Sequence, residues 1–309
     1  MGKILVIGSS NTDLIARVKR FPAAGETIEG IHFLQAMGGK GANQALAAHK
    51  LGGDVKFITS LGRDANGENT LKYFRNEGLD VSGSLIVDHV PSGTAMIWVD
   101  DHGENCIVIT PGANNELSPE YILKIEKEIA AAEMVLLQME VPYNTVKTVC
   151  ELAHRHHKKI LLNDAPACQL DSGLIKKLDI LVVNETEAET ISGETIGDIG
   201  EGAILDKLMS LGAKTVVLTL GEKGCMMKNL LESHSLPAFR VKALDSTAAG
   251  DTFCGALAAE LSRGHGWEEA LWFATAASAI CVTRMGAQPS IPTEKEVRDF
   301  LKDVSIKRV

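Results

Sequence analysis

Asp245 and Asp251 stand six residues apart with only Ser246-Thr247-Ala248-Ala249-Gly250 between them, and the small, mostly apolar run Cys254–Leu261 follows. Small residues and a glycine just ahead of a helix leave its first-turn N–H groups bare. Such a terminus carries partial positive charge and suits a phosphate. An aspartate in that turn has two readings. It stabilises the helix start, which the physics of helix ends alone favours, or it takes the proton of a group reacting with the bound anion. A second aspartate upstream, across uncharged residues only, is harder to explain as capping. The chemistry open to this pair is phosphoryl transfer.

Other clusters fall at the ends of apolar runs. Gly38-Gly39-Lys40-Gly41-Ala42-Asn43-Gln44 is a second glycine-rich entry to a helix. It is not a GxxxxGK[ST] phosphate loop, because Gly41 follows Lys40. It reads either as a flexible loop or as a close backbone approach to a small polar ligand, with Lys40 and Asn43 bonding to it. Asn11 and Asp13 follow Gly8-Ser9-Ser10, and Glu140 follows Met134–Gln138. Each is a grip for sugar hydroxyls or a solvated turn residue. Asn184-Glu185-Thr186-Glu187 follows Ile180–Val183 and is a capping box, a ligand cluster, or both. Thr219-Leu220-Gly221-Glu222-Lys223-Gly224 is a plain turn or a loop lying against a nucleotide. His154, His156 and His157 sit among Arg155, Lys158 and Lys159. That reads as an exposed basic helix end rather than a metal tract.

The elements that must position these residues alternate in type. Ile4–Ile7, Val55–Thr59, Met134–Gln138, Ile160–Asn163, Ile180–Val183 and Val216–Thr219 read as buried strands. Helices are expected between them at Ala42–Lys50, Glu68–Glu77, Pro119–Ala131, Thr145–His156 and Gly202–Leu211. Three more follow at Thr252–Arg263, Trp267–Thr283 and Glu294–Phe300. This alternation predicts a mostly parallel sheet covered on both faces. Two segments break the pattern, 14–36 and 91–110. The second holds alternating runs around Asp100-Asp101-His102-Gly103, a hairpin signal. The two segments are expected to pair into a small sheet, which must cover something because such a sheet is marginal alone.

Composition limits the partners. A chain of 309 residues with a formal charge of −9 lacks the basic field of a nucleic-acid binder. Any phosphate must be held locally, by backbone amides or a metal. The six cysteines are scattered and form no CxxC pair, which fits reduced thiols. The start, Lys3-Ile4-Leu5-Val6-Ile7-Gly8, does not read as a signal peptide, and no apolar run is long enough for a membrane span. The expected compartment is the cytoplasm.

Together these segments resemble the ribokinase family of sugar kinases, also called the phosphofructokinase-B type. The resemblance spans nearly the whole chain. It runs through Gly8…Asn11-Thr12-Asp13, Pro22…Gly25-Glu26-Thr27, Gly38–Gln44 and Gly62-Arg63-Asp64…Gly67. It continues through Gly103-Glu104-Asn105, Pro111-Gly112-Ala113-Asn114, Asn184–Glu187, Asp245–Phe253 and Gly286-Ala287-Gln288-Pro289-Ser290. It implies a single three-layer α/β/α domain over 1–309 with a β lid from about 14–36 and 91–110, and a homodimer through that lid.

The resemblance also implies roles. Asp251 matches the general base; Ala249, Gly250 and the Asp251 N–H match the anion hole. Asn11, Asp13, Gly39, Lys40, Gly41, Asn43 and Glu140 match sugar contacts, with Ala95 and Ile97 on the lid. Asn184, Thr219, Leu220, Gly221, Glu222, Lys223, Gly224, Gly250 and Thr275 match positions around ATP. Glu187 matches a residue acting on Mg²⁺ through water. A potassium site is implied at Asp245, the carbonyls of Thr247, Cys281, Arg284 and Gly286, and Ser290. Thr275 and Cys254 depart from the family pattern, in which Asn or His, and Asn, often stand.

The implied reaction is ATP-dependent phosphorylation of ribose at O5. Asn11 and Asp13 can bond vicinal hydroxyls, and a 2-deoxy sugar would leave such groups unpaired. Deoxyribose, fructose and adenosine are the alternative acceptors. A non-catalytic sugar sensor is a different class, and the intact Asp251 argues against it. A dinucleotide-dependent oxidoreductase fails because Gly8 lies in no GxGxxG.

Overall fold

A computed structural model describes residues 2–306. Residue 1 and residues 307–309 of the expected span lie outside the described residues. Six apolar strands form the parallel part of an eight-stranded sheet, in the order Thr215–Thr219, Ile180–Asn184, Lys159–Asn163, Met134–Leu137, Lys3–Ile7 and Asp54–Ile58. The chain begins in Lys3–Ile7, adds Asp54–Ile58 on one side, and then Met134–Leu137 on the other. At such a reversal, beyond the carboxyl ends of the strands, open α/β sheets form the crevice in which they bind ligands.

Strand residues alternate between two cores. Ile4 and Val6 pack on one face with Leu46, Phe57, Phe253 and Leu257. Leu5 and Ile7 pack on the other with Ile129, Val146, Leu152 and Leu205. Both faces are therefore covered, and the near-continuous apolar strands follow from that.

A second, four-stranded sheet has the order His32–Gly38, Asn11–Arg17, Gly93–Val99, Asn105–Thr110. Segments 14–36 and 91–110 do meet in it, and Gly93–Val99 pairs antiparallel with Asn105–Thr110 across the Asp100–Gly103 turn. One of its two inner strands starts at Asn11. Asn11 and Asp13 therefore lie on the lid strand itself, not in a turn after the first strand.

Several expected elements shift. The helix expected over Pro119–Ala131 is two, Pro119–Lys124 and Glu126–Ala131, broken at Ile125. An antiparallel hairpin, Cys225–Asn229 and Ser233–Leu236, extends the main sheet beyond Thr215–Thr219. A small parallel pair, Ser60–Gly62 with Leu85–Val87, also forms. Among the described residues no helix is long and apolar enough to cross a membrane.

Candidate active site

The helix Ala249–Ser262 carries Asp251 in its first turn. Its cap, Ala248, has φ +60° and offers no side-chain acceptor to the helix. Left-handed backbone at a non-glycine residue is strained, and persists only where the surroundings impose it. The Ala249 N–H is bound by Ser246 O and the Thr252 N–H by Ala248 O. Between them, the N–H groups of Gly250 and Asp251 have no acceptor among the described residues. A Cβ on Gly250 would meet nothing within 4 Å, so this helix end faces open space. Bare amides at an open terminus are an anion cradle.

Asp251 itself is 7% exposed and makes no ion pair with the described residues. Its Oδ2 accepts from Asn43 Nδ2 at 3.0 Å and its Oδ1 from Gln44 Nε2 at 2.9 Å. Both donors lie on the helix Lys40–Lys50. The two helices approach closely because Gly255 has no side chain: a Cβ there would lie 2.6 Å from Ala47 Cβ. One turn along each helix from that contact stand Asp251 and the pair Asn43–Gln44.

The glycines before Lys40–Lys50 serve a second close approach. A Cβ on Gly41 would lie 2.5 Å from Ser9 N, and one on Gly39, at φ +90°, 2.8 Å from Asn11 N. The helix start is thereby pressed onto the segment leaving the first strand. Ser9 Oγ donates to Glu140 Oε2 at 2.6 Å, Lys40 N donates to the same oxygen at 2.9 Å, and Gly41 N donates to Ser9 Oγ at 3.2 Å. Asn11 Oδ1 accepts from Asn114 Nδ2 at 2.8 Å. Asp13 is 8% exposed, and its carboxylate has no hydrogen-bond donor among the described residues. Burial lifts the Asp13 carboxyl from 3.8 to about 7, and the Glu140 charge adds to the rise. A buried, unpaired carboxyl of this kind is ready for hydroxyl donors. Ala95 is paired with Asp13 across the lid, and Ile97 lies two residues further along the same strand.

The other clusters face the same crevice from neighbouring strands. Asn184 caps the helix Glu185–Ser192: its side chain accepts from Glu187 N, and Glu187 Oε2 accepts from Asn184 N at 2.9 Å. The capping box is thus real, and Glu187 still feels the site. Burial raises its carboxyl above the ordinary value against the Asn184 hydrogen bond and the Lys40 charge, with Asp251 adding to the rise. Burial works against the Lys40 ammonium, but Asp251, Glu140 and Glu187 together hold its pKa above the usual lysine value. Lys40 makes no ion pair within 4 Å among the described residues. Carboxylates thus outnumber cations there, a balance that a bound divalent cation would offset for an entering triphosphate. Glu187 fits such an ion.

Thr219 ends its strand and donates from Oγ1 to Val183 O at 3.3 Å. Leu220 N bonds Gly224 O, closing a loop over Gly221, Glu222 and Lys223. Gly224 is required there, since a Cβ would fall 2.0 Å from Leu236 O. Thr275 is buried, with Oγ1 3.6 Å from Cys225 Sγ behind that loop.

Asp245 binds the two loops flanking the helix start. Its Oδ1 accepts from Thr247 N and Oγ1, and its Oδ2 from Gly286 N at 2.8 Å. Burial would raise its pKa, but these hydrogen bonds hold it below the usual aspartate value. Cys281 Sγ lies 3.0 Å from Ser290 Oγ and donates weakly to Thr247 O at 3.7 Å. Arg284 pairs through its guanidinium with Glu296. A carboxylate, carbonyls and a hydroxyl are all-oxygen donors, a set that fits a hard cation.

Several buried polar residues of this region are assigned no role from the sequence. Gln44, Gln138, Asn163 and Gln288 are buried amides. Asp164 is fully buried, with Oδ1 unpaired and Oδ2 accepting from Cys168 N; burial pushes it up to about 7. Gln138, Asn163 and Asp164 end or follow strands, while Gln44 and Gln288 sit inside the segments Gly38–Gln44 and Gly286–Ser290, and polarity at those places is the one signal.

Comparison with known proteins identifies the chain's relatives. Residues 1–294 match the pfkB family carbohydrate kinase profile. The chain is 39% identical to the ribokinase of Haemophilus influenzae, over 97% of this chain and 98% of that one. It is 36% identical to the deoxyribokinase of Salmonella typhi, over 96% and 98% respectively. Its fold superposes on Arabidopsis thaliana ribokinase complexed with ribose and ATP, with a TM-score of 0.91 and 32% identity, covering 97% of this chain and 99% of that one. The chain belongs to the pfkB family of carbohydrate kinases.

Proposed function

We propose that the chain transfers the γ-phosphoryl group of ATP to O5 of D-ribose, with Asp251 as the general base. The observation that carries this reading is a buried carboxylate without a cationic partner in the first turn of a helix whose next free N–H groups face open space. Phosphoryl transfer has a loose transition state, so the protein's share is positioning and charge stabilisation. The N–H groups of Gly250 and Asp251 receive the transferring oxygens, and Asp251 takes the hydroxyl proton as the bond forms. Asn11, Asp13, Lys40, Asn43 and Glu140 hold the sugar, and Ala95 and Ile97 close over it from the lid. Asn184, the loop Thr219–Gly224 and Thr275 lie along ATP. Mg²⁺, held near Glu187, would neutralise phosphate charge. K⁺, held by Asp245, the carbonyls of Thr247, Cys281, Arg284 and Gly286, and Ser290, would order the loop ahead of the helix.

The described residues act as one α/β domain carrying its lid. The lid's outer strands expose Leu34 and Ile109, each at 48%, on the face that carries Asp13 and Ala95, and Phe33 at 60% on the other, apolar surface suited to a second copy. The free cysteines suit the cytoplasm. Deoxyribose is the second acceptor to weigh, because a relative at 36% identity is named a deoxyribokinase. Coupled ADP release with ribose, deoxyribose, fructose and adenosine, with and without K⁺, tests the proposal. Ribose should give the highest kcat/KM and K⁺ should raise it; no ADP release with any sugar would end the reading.

A further inference from the structure

Behind Asp251 lies a set of buried amides whose orientations fix one another. The constraint starts at a backbone carbonyl. Asn163 Nδ2 donates to Val182 O at 3.2 Å, and Val182 sits inside the strand Ile180–Asn184, so that oxygen cannot turn. Asn163 Oδ1 is left as an acceptor and takes Gln44 Nε2 at 3.0 Å. The same nitrogen donates to Asp251 Oδ1 at 2.9 Å, while Gln44 Oε1 accepts from Gln138 Nε2 at 2.7 Å. Both N–H groups and the oxygen of the Gln44 amide are then used. Gln44 and Gln138 are 0% exposed, so their bonds lie away from bulk solvent.

Reversing the Gln44 amide would place its oxygen against Asp251 Oδ1 and Asn163 Oδ1 at once. The orientation is therefore single. A fixed donor favours the ionised form of the carboxylate it meets and holds its rotamer. On the far side, Gln288 Nε2 donates to Asn43 Oδ1 at 3.2 Å, which turns Asn43 Nδ2 toward Asp251 Oδ2. Both carboxylate oxygens thus meet N–H groups whose direction is set from elsewhere.

We propose that Gln44 is a positioning residue of the transfer step, anchored through Asn163 to the Val182 carbonyl and holding the Asp251 carboxylate aimed at the acceptor hydroxyl. The inference rests on Asp251 being the base. Its test is kcat and kcat/KM against pH for Gln44→Met, which keeps the chain length and removes the donor, with Asp251→Asn measured in parallel.

The expected result for Gln44→Met is a fall in kcat of about tenfold or more, a sugar KM within about threefold, and an acid limb of kcat/KM moved to higher pH by about one unit. A wild-type pH profile, or a loss falling wholly on KM, overturns the proposal. Should Gln44→Met fail to fold, Asn163→Ala carries the test: it frees the Gln44 amide and should move the acid limb in the same direction. An unmoved limb there overturns it too. If Asp251→Asn turns over nearly normally, the base assignment itself is wrong. If that variant is dead while Gln44→Met and Asn163→Ala keep the wild-type limb, only the role of Gln44 falls.

Discussion

Replacing Asp13 by asparagine should make the sugar-free protein more stable at neutral pH while abolishing its use of sugar. The Asp13 carboxyl is buried, lacks a donor among the described residues, and is lifted from 3.8 to about 7 chiefly by desolvation, then by Glu140. At about 1.4 kcal/mol for each pH unit of difference, that rise is worth about 4 kcal/mol as an upper bound, and relaxation around the site brings it to about 2–4. The sign follows from proton binding. Below pH 3.8 the group is protonated both folded and unfolded, and it costs nothing. Between there and pH 7 the unfolded chain has released the proton that the folded one keeps, so stability falls as pH rises. Above pH 7 the loss is complete. Asparagine does not titrate, so Asp13→Asn should match the wild type near pH 3.8 and exceed it at pH 8. For a chain of this length that is a rise in Tm of about 3–6 °C. Thermal unfolding at pH 4, 6 and 8 measures it, with and without ribose. Ribose should raise the Tm of the wild type only. A variant less stable at pH 8, or a difference constant across pH, would refute the argument that the unpaired carboxyl is held there for a ligand at a cost in stability.

Asp251→Asn should retain ribose binding by calorimetry and lose kcat by about 10²–10⁴-fold, the usual contribution of a positioned base. Gly250→Ala should fold at least as well as the wild type, because its Cβ meets nothing within 4 Å, yet turn over at least about tenfold slower by ADP release, because the methyl group enters the anion cradle. Gly255→Leu should destabilise by about 1–3 kcal/mol or more in urea, since even a Cβ there lies 2.6 Å from Ala47 Cβ. Phe33→Lys together with Ile109→Lys should shift sedimentation at micromolar protein toward the monomer; an unchanged dimer would remove the lid from the interface.

The parallel strands were legible because both of their faces are buried. Lys3–Ile7, Met134–Leu137 and Thr215–Thr219 are almost uninterrupted apolar runs. Ser233–Leu236 was not: Ser-His-Ser-Leu at a sheet edge has neither alternation nor apolar content. The break at Ile125 escaped because the apolar spacing continues across it and only the backbone turns. At the site, glycine clusters and strand-end carboxylates pointed to the crevice, since close backbone approaches demand glycine. The amides could not be placed in the same way. Gln44 and Asp251 are 207 residues apart, and nothing in local spacing marks an amide as facing inward. For Asn11 and Asp13 a solvated turn stayed open beside the sugar grip because the lid strand begins directly after the glycine-serine exit from the first strand.

The tight contact of Gly255 against Ala47 and Gln44 also orders events in time. It joins a helix from the first fifth of the chain to one from the last, and no nearer segment can substitute. Sheet strands and sugar-side residues can emerge and pair while synthesis continues, but the reacting centre closes only after the final helices dock. A chain cut off before residue 249 would therefore carry most of the sugar grip and none of the proton acceptor.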